Sequence, residues 1–289
     1  MESGLAFLEQ ASSIANQALS ETTAVQKQAD VKLVDNSAEL LATGDYIEVN
    51  SSTTLDELTD LLAVDDAKIV LTEDVDLGEQ ALAITGKNVT INGAGHKITV
   101  SYINIHEVGA EITNVEIDAT NAGYGEKIYA GESVNINNVK MHVSGNPTSG
   151  IRLDGEGNKI ENVFIDVQGV VAHGIYAEYT SELKNITVNL SSDAYYGICG
   201  ADGIINIDGL YVSGGGAGVY NRGYATFTGP LADKFDENSE ISVEEVNSTF
   251  ASLSDDSFEK QYNTVMEQYD ALIGDASYKG VNLLKNEKL

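Results

Sequence analysis

The sequence predicts a mainly β fold: a right-handed parallel β-helix of about seven coils, flanked by an antiparallel α-helical rod piece. Three observations predict it. Two apolar columns recur through the middle of the chain at one pitch, each copy alternates apolar with polar residues, and amphipathic helical patterns stand at the two ends.

The first column is carried by Ile112-Thr113-Asn114-Val115-Glu116-Ile117 and its copies, which begin at Ile136, Ile160 and Leu183. Their asparagines, Asn114, Asn138, Asn162 and Asn185, are 24, 24 and 23 residues apart, and Gly209 takes the asparagine position in a fifth copy. The second column is Ile105, Ile128, Ile151, Ile175, Ile198 and Val219, with Gly150, Gly174, Gly197 and Gly218 each one residue before an apolar member. Alternation within each copy is the strand period. At the asparagine it skips a beat, which marks a bend between two strands. A unit of this length is too short for a βαβ crossover with a helix, but it suits one turn of a solenoid whose turns stack at ~4.8 Å. The four asparagines are then expected to stack as an internal ladder at one corner, each amide bonding its neighbour. The first coils are expected at Lys68–Leu77 and Asn88–Ile98, and the last near Thr226–Pro230.

Before the coil, Tyr46-Ile47-Glu48-Val49 is strand-like, and Thr54-Leu55-Asp56-Glu57 is a capping box opening a short helix through Leu62. A solenoid end exposes an unpaired edge, so this stretch is expected to act as a cover. Residues 4–26 present Leu5, Leu8, Ala11, Ala15, Ala18 or Leu19, and Val25 as a stripe. Residues 255–273 present Phe258, Tyr262, Val265, Met266, Tyr269, Leu272 and Ile273, with Ser254 as N-cap and Gly274 as the stop. Rod-helix packing is assigned to Leu5, Leu8, Ala15, Leu19, Phe258, Tyr262, Val265, Tyr269 and Leu272. The expected organisation is a first rod helix over 1–30, a linker and cap over 31–66, the β-helix over 67–232, and a return segment with a second rod helix and a terminal β turn over 233–289.

Composition narrows the function. There are 16 Lys+Arg against 45 Asp+Glu, a formal charge of −29, which repels phosphate backbones and anionic lipids, so neither nucleic acid nor membrane is expected as a partner. Cys199 is the one cysteine, so an internal disulfide is impossible and a Cys/His zinc site is unsupported. His96, His106 and His142 match no metal spacing, and no catalytic residue, cofactor or metal is expected. The start of the chain has no basic stretch followed by an apolar one, so no secretory signal is expected. Asp154 and Glu178 occupy similar places in successive coils with His173 near, which reads as a solvated acidic face before it reads as a hydrolase pair. One outer column is more suggestive: Tyr129, Arg152, Tyr176, Cys199 and Tyr220 each follow the inward residue of their coil. Tyr129, Arg152, Tyr176 and Tyr220 could bind sugar rings, or could simply pack on one another.

Two resemblances accompany these readings. The opening coils resemble the pectate-lyase-like β-helix superfamily over residues 67–228, as a fold signature only. The first helix, Gly4 through Leu19, is similar to a rod helix of bacterial flagellin. The stretch from Gln261 through Leu284 is similar to the next rod helix and its β turn, and the run Ser277-Tyr278-Lys279-Gly280-Val281-Asn282-Leu283-Leu284 is similar to the α-proteobacterial type. The flagellin resemblance implies a non-enzymatic filament subunit, extracellular, with the β-helix inserted between two rod helices and projecting from the bacterial flagellar filament. The partners it implies are other flagellin subunits of the full-length protein, with this piece monomeric and a glycan or cell surface as a further contact. The rival expectation is a polysaccharide-binding or polysaccharide-degrading β-helix, a phage tailspike-like adhesin.

Overall fold

A computed structural model describes residues 31–119, 125–145, 148–169, 173–191, 196–235, 239–250, 277–278 and 281–282. The chain divides into two compact units, one of Gln28–Thr249 and one of Met1–Lys27 with Phe250–Leu289. The larger unit is a parallel β-solenoid of about seven turns and of the right-handed type.

Each turn contributes one strand to each of two sheets. In the first sheet Glu111–Ala119, Asn135–Gly145, Asn158–Gly169, Ser181–Leu190 and Ile204–Ser213 pair in parallel and in register. In the second, Tyr102–Ile105, Ile128–Ala130, Ser149–Leu153, His173–Ala177, Tyr196–Gly200 and Ala217–Asn221 do the same. The alternation of the sequence becomes an inside and an outside. Ile112, Ile136, Ile160, Leu183 and Ile207 form one buried file, and Ile117, Met141, Ile165, Val188 and Val212 another. Facing them are Ile128, Ile151, Ile175, Ile198 and Val219, all fully buried. One register differs from expectation. Ile103, not Ile105, stands beside Ile128, and Ile105 pairs with Ala130. Both isoleucines point inward on one strand, so spacing alone could not choose between them.

The glycines of this second file have a steric cause. A Cβ on Gly197 would meet the Gly218 carbonyl oxygen and a Val212 methyl, each at 2.6 Å, so the backbone of one sheet is pressed against side chains of the other.

The skipped beat is a left-handed residue. Asn114, Asn138, Asn162 and Asn185 have φ of 52, 56, 53 and 51°, and Gly209 repeats the bend at 91°. Asparagine tolerates this region better than other side-chain-bearing residues, because its short amide bonds locally. The ladder is not internal: Asn114 is buried, but Asn138, Asn162 and Asn185 are half-buried at an outer corner, because a left-handed residue between two inward positions turns its side chain outward. Asn138 Nδ2 donates to Asn114 Oδ1 at 3.2 Å and Asn185 Nδ2 to Asn162 Oδ1 at 2.7 Å. Between these pairs the chain of amides shifts sideways, with Asn162 Nδ2 donating to Asn137 Oδ1 at 3.2 Å.

Both poles are closed. At the lower one, β1 (Ile47–Val49) pairs in parallel with Lys68–Leu71, so the first sheet extends one turn beneath the sequence repeat. Helix α1 (Ser37–Ala42) precedes β1. Helix α2 (Leu55–Leu62) follows it, with the Thr54–Glu57 capping box formed on both sides. Leu62 accepts from the backbone N–H groups of Thr85 and Gly86, so α2 lies where another strand of the second sheet would otherwise be. Leu58 and Leu62 are buried. At the upper pole, Glu240–Ile241 pairs antiparallel with Ala217–Asn221. Helical residues 243–249 (α3) then place Asn247 on the last rung, where its amide accepts from Val212 N at 2.9 Å and donates to Val212 O at 2.7 Å.

In the smaller unit the described residues form one antiparallel pair, Ser277–Tyr278 with Val281–Asn282. The rod helices expected over 4–26 and 255–273, with their packing residues from Leu5 to Leu272, lie outside the described residues. An antiparallel helical rod piece has no support among those described.

The corner geometry sets an order of substitutions. Asn162→Ala keeps a Cβ in the left-handed region without the amide and should lower unfolding free energy by about 1–2 kcal/mol. Asn162→Gly should cost less, as Gly209 fills the same corner. Urea denaturation of the two variants ranks them.

Candidate functional site: the outer face of the second sheet

The outer column foreseen from sequence is formed in register. Asn104, Tyr129, Arg152, Tyr176, Cys199, Tyr220 and Glu240 follow one another across the second sheet. Three residues before it in each strand runs a shorter file, Ser149, His173, Tyr196 and Ala217. Asp154, Glu178, Ala201 and Arg222 lie two residues beyond the column on their own strands. Sequence reasoning had the central column, and Asp154, Glu178 and His173 beside it. It missed Glu126, Tyr196, Arg222 and Glu240. Extending the aligned column by three residues back and two forward would have found Tyr196 and Arg222. Glu126 and Glu240 come from a turn and a closing strand outside the repeat.

Arg152 is the hub. Its guanidinium reaches Asp154 at 2.8 Å, Glu178 at 3.3 Å and Glu126 at 3.6 Å, and lies over the Tyr176 ring at 5.2 Å from the centroid. Tyr129 Oη donates to Asp154 as well. Burial pushes the Asp154 carboxyl up, but the Tyr129 and Arg152 hydrogen bonds and the guanidinium charge outweigh it and hold the group below the usual range. The same bond, with burial second, raises the Tyr129 phenol to about 12.

Above this hub the face is aromatic. His173 stacks on Tyr196 at 5.6 Å and 12°, and Tyr196 stacks on Tyr220 at 4.6 Å and 21°. Tyr196 Oη donates to Glu240 at 2.9 Å, and Arg222 Nη1 donates to Tyr176 Oη at 3.1 Å. Tyr176 and Cys199 pack with Ala201 and are buried, with 7% and 1% of their surface exposed. Burial pushes the Cys199 thiol up to about 12, so it carries almost no thiolate at neutral pH. Burial also lowers His173 to about 4, with Arg222 adding to the effect, so this imidazole is neutral at pH 7.

The geometry differs from what a glycoside hydrolase or a sugar-binding platform requires. A glycoside hydrolase needs two carboxyl groups facing each other across a gap, one with a raised pKa. Asp154 and Glu178 instead share one guanidinium nitrogen from neighbouring rungs, and Asp154 is shifted the wrong way for an acid. A sugar-binding platform needs open ring faces. Here Tyr176 is covered by Arg152, and Tyr196 is sandwiched between His173 and Tyr220. Among the described residues no group of three or more His, Cys, Asp or Glu side chains is placed to hold a metal ion, and no helix is long and apolar enough to cross a membrane. The face works as a seam that ties five rungs together.

Acid should weaken this seam. His173 has a lowered pKa when folded, so between pH ~6.5 and ~4 the unfolded chain binds the extra proton and stability falls with pH. His173→Phe keeps a ring in the stack and should flatten that part of the stability–pH curve. Arg152→Met leaves three carboxylates facing one another. It should cost about 1–2 kcal/mol at pH 7, a figure reduced for the partial exposure of the cluster. The loss should shrink as pH drops below the carboxylate range; thermal unfolding across pH measures both effects.

Comparison with known proteins gives no match to any family model, curated protein or solved structure.

Proposed function

We propose that this chain is a structural surface module, a β-solenoid carried on a flagellin-type helical base and displayed from an extracellular bacterial filament. The observation that carries the reading is the direction in which the solenoid's two ends leave it. Read backwards from Asn36, the chain climbs the asparagine corner: Asn36 and Val34 bond Asn114, and Lys32 bonds Asn138 one rung higher. At Lys32 it is therefore aimed at the upper pole, where α3 closes the last rung through Asn247. The Asn138 corner and the Gly209 corner are three rungs apart, on the order of 14 Å. A domain whose two ends lead to one pole can be inserted into a host element without disturbing it.

Three further features support the reading. The outer face of the second sheet spends its guanidinium, its phenols and its ring faces largely on one another, which suits a structural face better than a catalytic one. The net charge of −29 favours dispersed filaments through mutual repulsion. The antiparallel pair at Ser277–Tyr278 and Val281–Asn282 falls within the run that is similar to flagellin's β turn. In this reading the module is not an enzyme, and its assembly partners are other flagellin-type subunits. A polysaccharide-binding spike is the weaker alternative, because ring faces it would need are in use.

Antibodies raised against the solenoid should decorate flagellar filaments along their length in electron micrographs of intact cells that make this chain. Label confined to the cell body, or to an appendage that persists when the flagellum is removed, would overturn the assignment.

A further inference from the structure

The segment leading into the lower cap is held in an unusual way. Residues 31–36 are extended along the side of the solenoid, across the rungs rather than within one. Val34 N donates to Asn114 Oδ1 at 2.9 Å while Asn114 Nδ2 donates to Val34 O at 2.7 Å, a reciprocal pair that copies a strand ladder with a side chain in place of a backbone. Asn138 Nδ2 donates to Lys32 O at 2.8 Å. Close packing against Gly95 completes the seat: a Cβ there would lie 3.1 Å from the Val34 carbonyl carbon. Little apolar surface backs these bonds. Val31 is buried, but Val34 is 58% exposed, Lys32 and Asp35 are exposed, and α1 has no buried residue. The next elements differ: β1 and α2 bury Val49, Leu58 and Leu62 in the core.

We propose that residues 31–36 form a releasable clasp, in which the Asn114 and Asn138 amides hold the incoming chain to the flank of the solenoid. The inference goes beyond the filament reading and does not depend on it. Segments with few buried contacts open at low free energy, independently of the core they rest on. The clasp and α1 thus make one opening unit, residues 31–46, and the solenoid from β1 onward another. With the clasp closed, the incoming chain is aimed at the upper pole. With it open, the incoming chain swings from β1 at the lower pole. Two of the corner asparagines therefore do more than their bend requires, since Gly209 makes the same bend without an amide.

Hydrogen exchange on the full chain tests this. Asn114→Gly/Asn138→Gly keeps the left-handed corner and removes the amides; amides of residues 31–46 should lose about tenfold or more in protection, the loss expected when hydrogen bonds of ordinary net strength disappear. Strands at 160–167 and 183–190 should keep theirs. Asn162→Gly/Asn185→Gly makes the same change on the higher rungs and should leave residues 31–46 as in the parent. The single variant Asn138→Gly, which loses only the Lys32 contact among the clasp bonds, serves as the test if the double one does not fold. Unchanged protection of 31–46 when the clasp amides are gone, or equal loss in the two double variants, would overturn the clasp. Neither result bears on where the chain sits in a cell, which the antibody experiment reads separately.

Discussion

Every feature of the larger unit depends on backbone hydrogen bonding between turns. The strands of a rung find partners for their N–H and C=O groups chiefly in the rungs above and below, because within one turn the strands do not pair with each other. Parallel register is thereby imposed on everything else. Residues one turn apart must point the same way, bends must fall at the same place, and a file of one residue type becomes a continuous stripe. The buried isoleucine and valine files, the left-handed asparagines and the outer aromatic column are three outcomes of that one constraint.

The constraint also creates two problems, at the poles, and the protein solves them differently. Below, α2 stands in for a strand and presents Leu58 and Leu62 to the core, while β1 supplies a last parallel partner. Above, the final strand turns antiparallel and a helix lays Asn247 across the exposed N–H and C=O of Val212. Amides thus satisfy backbone at both extremities of the corner region, at Val34 below and at Val212 above. An asparagine side chain offers a donor group and an acceptor side by side, which is what a stranded peptide edge lacks.

Much of this was legible in the sequence, for reasons that can be traced. A strict pitch with alternating burial leaves few architectures, so the solenoid, its asparagine bends and the capping box at Thr54 could all be read from spacing. The outer placement of the asparagines was not, because a skipped beat marks a bend without saying which way the side chain turns. Register at Ile103 was not, because two inward residues on one strand are equivalent by periodicity. In the outer face, the column itself was legible as a file of aligned positions. Its packing was not: whether Tyr176 is open or covered depends on how Arg152 divides itself among Glu126, Asp154 and Glu178, and all three lie outside the column.

The opposed directions of clasp and solenoid have a consequence for growth of the fold. A stack held by neighbour contacts alone can gain or lose a whole turn with little effect on the turns already there. Duplicating a unit between the Asn138 and Gly209 corners would lift the upper pole by ~4.8 Å and leave the clasp where it is. The gap between the two chain exits would widen by that amount, so lineages that lengthen the body must also lengthen the leader that runs beside it.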